Sequence, residues 1–383
     1  MARQLSERQA YLVLNALPDI GPISIRRLLD SFGGDPCEIL NASESRLRQI
    51  ERIGPVAARS ISQWTELVDL EKEENALQKQ GAQFISKADP NYPASLKQLY
   101  DSPTGLYCLG DASCLPKQGV AIVGTRRPTL YGRSIAKRLA GELVRAGYCI
   151  VSGMARGIDA EAHQGALDAG GPTIAVLGCG VDIVYPPEHI DLYRQIQKQG
   201  AVISEFKLGR RADKQTFPMR NRVIAGMTLA TLVIESGAHG GSMITARFAG
   251  ESGKQVFAVP GRIDQASSEG CHALIRDGAT LVTCVDDILS DLQSGKQQEL
   301  FGSMLQESGS SAKANQKAES ILESLTPTER KVAECFMDGG QLTPDSLSTQ
   351  LDMPSYEISG ILVLLELRRI IGKRADGSFE RLH

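Results

Sequence analysis

Seven stretches of the chain are almost continuously apolar: VAIVGT (120–125), YCIVSGM (148–154), TIAVLGCG (173–180), AVISEF (201–206), LATLVIES (229–236), QVFAVPG (255–261) and ATLVTCV (279–285). A strand with one wet face alternates apolar and polar residues, whereas a strand covered on both faces does not. These runs therefore predict strands of a buried, mostly parallel sheet. Helical patterns lie between them. In GRSIAKRLAGELVRAG, Ile135, Ala136, Leu139, Ala140 and Leu143 make one apolar stripe. Strand and helix in alternation give an α/β class: an extended, Rossmann-like, doubly wound sheet, whose ligands bind beyond the carboxyl ends of the strands.

The flanks differ in pattern. Residues 1–75 read as helical and carry a weak internal repeat, DIGPISIRRLLDSFGG and RIGPVAARSISQW. Gly21 and Gly54 suit tight turns there, and Pro22 and Pro55 suit first helical positions. Paired helix-hairpin-helix units hold a DNA phosphate this way, and a small packing bundle uses the same turns. Residues 1–70 hold eight Arg against nine acids, close to balance. Residues 76–118 read as a connector packing on the central domain, 119–292 as the Rossmann-like domain, 293–318 as a polar flexible linker, and 319–383 as a small tail domain.

Composition changes this picture little. The 383 residues exceed one ordinary core and carry 42 Lys and Arg against 45 Asp and Glu, a net charge of −3. Any nucleic-acid binding must come from a local patch. The eight cysteines show no metal spacing and read as reduced core thiols of a cytoplasmic protein. The N-terminus has no signal-peptide core, and no apolar run is long enough for a membrane span.

The chemistry gathers at the strand ends. The first run leads into GTRRPTLYG, where a dinucleotide fold would carry G-x-G-x-x-G. Gly124, Thr125, Arg126 and Arg127 offer instead a small turn, a hydroxyl and two cations, which suit a phosphate. In SGMARGIDAEAH, Gly153 and Gly157 permit a tight turn around Arg156. Asp159 there reads as a helix cap, and His163 as a packed or partly exposed histidine rather than a base. In ESGAHGGSMITA, Gly237, Gly240, Gly241 and Ser242 let a backbone approach a ligand, with Ser242 able to cap the next helix. Six basic residues, Lys207, Arg210, Arg211, Lys214, Arg220 and Arg222, crowd into 16 positions with one acid, Asp213. A helix predicted to start near Met219 would put Arg220 and Arg222 in its first turn, awkward for its dipole unless phosphates lie there. Helical phase turns Arg220 inward, towards the ligand or a structural acid such as Glu205 or Glu235, with Arg222 nearly opposite. Phe217 supplies one ring for base stacking. The chain shows phosphate holders but no metal cluster, catalytic triad or acid/base pair, which favours a binder that needs no cofactor over an enzyme.

In order along the chain, VGTRRPTLYG, SGMARGIDAEAH, FPMRNRVIAG, ESGAHGGSMITA, VFAVPG and SSEGCHALIRDGA resemble the DNA-processing protein A (DprA, also called Smf) family over about 85–290. The flanks are similar to a sterile-alpha-motif-like domain and a winged-helix tail. The resemblance implies a cytosolic, non-catalytic bacterial protein that dimerises, binds and protects single-stranded DNA, and loads RecA recombinase onto it in natural transformation. The strand-contacting set is then Gly124, Thr125, Arg126, Gly153, Arg156, Gly157, Lys214, Phe217, Arg220, Asn221, Arg222, Gly237, Gly240, Gly241 and Ser242. A dimer and RecA surface would fall on Arg247, Glu251, Lys254, His272 and Leu274.

Two other readings stand beside this one. The scaffold is similar to that of nucleoside-monophosphate phosphoribohydrolases, an alternative that a glutamate beside a GGxGT loop would support; Glu235 precedes the loop here, but GGSMIT replaces that pattern. A nucleotide-sensing scaffold is the blander option. The tail reads as three helices and a hairpin turning at ADGS. With seven basic residues against ten acids over 321–383, it suits a protein contact, or duplex binding through Lys373 and Arg374 alone.

Overall fold

The computed structural model describes residues 5–115, 117–293, 327–336, 342–351, 353–367, 371–373 and 378–381. They belong to two compact units, 1–294 and 295–383. Apart from residue 293, the expected linker lies outside the described residues.

All seven apolar runs contribute strands of the first unit: β3 (Gly119–Gly124), β4 (Cys149–Ser152), β5 (Thr173–Val176), β6 (Ala201–Ser204), β7 (Ala230–Ile234), β8 (Gln255–Ala258) and β9 (Thr280–Leu281). The connector does more than pack on the domain. It supplies β1 (Gln83–Ser86) and β2 (Gly105–Gly110), which extend the sheet to nine strands in the order β1-β2-β6-β5-β4-β3-β7-β8-β9. β2 runs antiparallel to β6, and β6 through β9 are parallel. From β3 the chain first builds towards β6, then returns to add β7 on the other side. The β3/β7 boundary, with Gly124 level with Ile234, is thus the switch point where such sheets open a crevice.

Both faces of the sheet are covered, which is why the runs do not alternate. Val120 and Ile122 pack with Ala136, Leu139, Ala140 and Leu143 of α9 (Leu130–Arg145) and with Ala162 and Ala166 of α10 (Ile158–Asp168). Ala121 and Val123 pack with Val223, Ile224 and Met227 of α12 (Thr216–Met227) and with Ala246 of α13 (Gly241–Glu251).

The N-terminal residues form α1 (Glu7–Ala16) to α7 (Leu70–Gln80). Gly21 and Gly54 precede α2 (Pro22–Ser31) and α5 (Pro55–Ser62), as the repeat predicts. Their backbones are extended, at φ −99° and −76°, so neither turn is left-handed.

The second unit runs helix Pro327–Glu334, helix Pro344–Leu351, helix Ser355–Leu367, then antiparallel strands Ile371–Lys373 and Phe379–Arg381. This is winged-helix order, closed around Val332, Phe336, Leu347, Ile358, Leu362, Leu365 and Phe379. Arg374, half of the expected wing contact, lies outside the described residues, and Lys373 sits on the first strand of the hairpin.

Candidate functional site

The floor of the site is the turn after β3. A Cβ on Gly124 would lie 2.0 Å from the Ile234 carbonyl oxygen, so only glycine lets β3 and β7 end so close together. The Thr125 amide donates to the Glu235 carbonyl at 2.7 Å, and the Ile158 amide donates to the Thr125 carbonyl at 3.2 Å. Gly157, at φ +80°, brings the start of α10 against the same carbonyl. The turn is thus pinned from β7 and from α10, and it leaves Arg126 exposed. The Arg126 guanidinium lies 5.3 Å from the Phe217 ring centroid, a cation–π distance.

The basic stretch becomes α12, which starts at Thr216, three residues before the predicted start. Asp213 explains the shift. One of its carboxylate oxygens accepts from the Gln215 and Thr216 amides at 2.8 and 3.0 Å, and these bonds hold its carboxyl below the usual range. The helix start therefore carries an acid, and the arginines fall beyond its first turn.

Arg220 and Arg222 then part company. Arg220 is 5% exposed, and its Nη1 donates to the Val176 carbonyl at 3.0 Å. Its Nε has no partner, and among the described residues no carboxylate stands within ion-pair distance. Burial lowers its pKa, with the nearby Asp159 opposing that shift. Asp159 does not cap its own helix in the expected way. Its carboxylate accepts from the Gly153 and Ala155 amides at 3.1 and 3.3 Å and closes the β4–α10 loop. Burial pushes the Asp159 carboxyl up, and Arg220 pulls it down. The result is a desolvated guanidinium with spare donors beside a cavity, which an anion stabilises.

Arg222, expected to contact the strand, is instead bound into the fold. It pairs with the buried Glu205, lies 3.4 Å from the Asp101 carboxylate, and donates to the Asp101 carbonyl at 2.6 Å. The structural pairing with Glu205 considered for Arg220 belongs to Arg222, because the two side chains leave opposite sides of α12.

Glu235 is also committed elsewhere. It sits at φ +49° with its carboxylate receiving the amide of Thr129 at 2.8 Å and the Thr129 hydroxyl. Thr129 in turn caps α9. The carboxylate that the phosphoribohydrolase alternative requires is therefore tied to a helix start and is absent from the cavity lining.

The Gly237–Ser242 loop forms the opposite wall. Its cap differs from the expected one: Gly240 is the N-cap of α13, no side chain caps that helix, and the Ser242 hydroxyl goes to Ser236 at 2.8 Å. Asn221 links α12 to this wall by donating to the Gly241 carbonyl at 3.3 Å. The first amides of α13 thus carry no side-chain cap at the cavity rim.

These pieces enclose one cleft of about 480 Å³. Gly124, Thr125, Arg126, Lys214, Phe217, Arg220, Asn221, Gly237, Gly240, Gly241 and Ser242 all line it. Gly153 and Arg156 lie on a smaller adjoining hollow with Tyr185 and Phe217, and Arg156 is paired there with Glu188. Gly157 shapes the turn without lining either. Sequence reasoning missed Thr129 and Tyr185. The Tyr185 ring stands 5.7 Å from that of Phe217, and nothing local in VDIVYPP announces it.

The expected partner surface is divided. Arg247 and Glu251 form an exposed pair at 3.5 Å on α13. Leu274 lines a hollow of about 590 Å³ with Met243, Ile244, Arg247 and Val256. His272 Nε2 lies 3.0 Å from the Gly261 carbonyl. Lys254 turns inward instead: its Nζ donates to the Ala225 and Gly226 carbonyls at the end of α12, and burial lowers its pKa to about 8. His163 is fully buried with Nδ1 2.7 Å from the Thr173 hydroxyl, and burial holds its pKa at about 3. Among the described residues no cluster suits a metal ion, and no helix is long and apolar enough to cross a membrane.

A family profile described as DNA recombination-mediator protein A matches residues 83–293. Protein Smf of Synechocystis sp. is 37% identical over 296 residues, covering 75% of this chain and 73% of its own. DNA processing protein DprA of Streptococcus pneumoniae is 42% identical over 213 residues, covering 55% of this chain and 74% of its own. A crystal structure of DprA from Streptococcus pneumoniae superposes with a TM-score of 0.66 at 33% identity, over 75% of this chain and 98% of that one. A structure of DNA processing protein A from Helicobacter pylori, described for its single-stranded DNA binding mode, gives 0.51 at 30% identity, over 56% of this chain and 96% of that one.

Proposed function

Since the chain belongs to the DNA recombination-mediator protein A family, also called DprA or Smf, and so has a DNA-processing role in recombination, we propose that its cleft holds single-stranded DNA without regard to sequence. The observation that carries this reading is the convergence of separate segments. Arg126 from the β3 turn, Lys214 just before α12, Phe217 and Arg220 on that helix, and the α13 rim line one cleft at the switch point. Three cations there face phosphates, and the ring faces a base. Arg220 supplies a donor set that is already desolvated, so binding an anion costs it little further dehydration. No lining group is arranged as an acid/base pair, and the role is holding and shielding rather than bond cleavage.

On this reading the bound strand is protected and then passed to a RecA recombinase, as in natural transformation in the cytoplasm. A homodimer forms through the α13 and Leu274 region. The hollow beside Met243, Ile244 and Leu274 supports an apolar contact at that place.

The test is a titration of the full chain with single-stranded and duplex oligonucleotides at two salt concentrations. Binding should favour single strands, tolerate any base sequence and weaken steeply with salt. Equal binding to duplex, or a mononucleotide that outcompetes oligonucleotides, would overturn it.

A further inference from the structure

Part of the basic stretch is not used by the cleft. Lys207, Arg210 and Arg211 lie upstream of Lys214, all three are exposed, and none lines the cavity. Arg210 is engaged with Asp213 at 2.6 Å. Among the described residues, Lys207 and Arg211 have no carboxylate within ion-pair distance.

The segment that carries them is held in place. Both Asp182 carboxylate oxygens accept from the Gly209 amide at 3.0 Å, and the Gly180 amide donates to the Arg210 carbonyl at 2.8 Å. The turn at 207–210 is thereby fastened to the loop that follows β5. That same loop carries Tyr185, which is 38% exposed and stands beside Phe217. The acids nearby are engaged: Asp182 with Gly209, Asp213 with Arg210 and the α12 start, Glu188 with Arg156. A half-exposed ring beside Phe217 and two exposed cations therefore share one region outside the cleft, on segments fastened to each other by backbone hydrogen bonds.

We infer that this strip, Tyr185 with Lys207 and Arg211, is a second contact surface for single-stranded DNA, which carries the strand onward after it leaves the cleft. The inference rests on the cleft holding the strand. The strip fits a flexible polyanion with bases: cations track its backbone while a ring stacks a base, with no sequence readout. Its contribution is long-range in the strand, so it appears only when the oligonucleotide outreaches the cleft.

The experiment compares the full chain with a Lys207→Gln, Arg211→Gln double variant and with Tyr185→Ala. Each is titrated with oligodeoxythymidine of about six and about twenty nucleotides, lengths that bracket a typical single-fold site. The double variant should bind the short strand as the parent does. It should bind the long strand about tenfold more weakly at low salt, with a salt slope smaller by about 1.4, or about 0.7 for each lost phosphate contact. Tyr185→Ala should weaken the long strand and leave the slope unchanged, and Tyr185→Phe should restore binding. An unchanged long-strand affinity would overturn the strip. Equal weakening at both lengths would also overturn it, because the segment would then be supporting the cleft. If instead the parent binds only the long strand and the double variant abolishes that binding, the cleft reading fails and the onward path from the cleft is overturned with it, because the strip is then a primary site.

Discussion

Arg220 packs its guanidinium against the backbone of Gly153: a Cβ at that glycine would sit 1.3 Å from Nη1. The guanidinium therefore occupies the space of a side chain that the turn after β4 lacks, and reaches the Val176 carbonyl beyond it. Gly153→Ala should expel Arg220 from this seat. Losing a charge-assisted contact of about 1.5–3 kcal/mol weakens single-strand binding by about tenfold or more. Fluorescence anisotropy with a labelled oligonucleotide reads the loss, and the circular-dichroism spectrum should stay native.

The two buried arginines of α12 should separate stability from binding. Among the described residues Arg220 has no carboxylate within ion-pair distance, and only the more distant charge of Asp159 and the Val176 carbonyl favour it, so Arg220→Met should destabilise the free protein less than Arg222→Met does, while binding falls. Arg222→Met leaves Glu205 buried without its counter-charge and should cost about 3–5 kcal/mol. The Arg222→Met, Glu205→Leu pair should recover most of that. Thermal melts and titrations on the same samples would show whether the assignments are reversed.

Arg126 and Phe217 touch each other but should fail differently. Arg126→Ala removes a phosphate contact and should lower the salt slope by about 0.7. Phe217→Ala removes a stacking platform worth about 1–3 kcal/mol per base and should leave the slope in place. Identical slopes for the two variants would contradict this division.

Acid should reveal His163. Burial holds its folded pKa at about 3, whereas an unfolded histidine titrates near 6.5. Below about pH 6.5 the unfolded chain gains a proton that the fold refuses. The stability present above that pH is lost as pH falls, by about 1.4 kcal/mol per unit. His163→Gln should lack this loss, so its stability relative to the parent should rise by about 2 kcal/mol between pH 7 and pH 5 in urea titrations.

Much of the site was legible because it is built from local signals. Small residues at strand ends and clustered cations are visible in GTRRP, SGMARG and ESGAHGGS. Pro218 in TFPMRN points to a helix start near Met219, whereas the Asp213 carboxylate holds the Gln215 and Thr216 amides and the helix begins at Thr216. Nothing local to Lys254 reveals that it turns inward, because its carbonyl partners lie 28 and 29 residues away in sequence.

The sequence alone determined the parallel sheet, since strands buried on both faces must be continuously apolar. It also determined which strand ends carry small and basic residues. Only the tertiary structure decided which cations are free. Arg220 and Arg222 are two residues apart on one helix, and their difference comes from Glu205 and Asp101 on one side and from the bare backbone of Gly153 on the other. Charge neutralisation depends on distances between elements remote in sequence, and those distances do not exist until the sheet has closed.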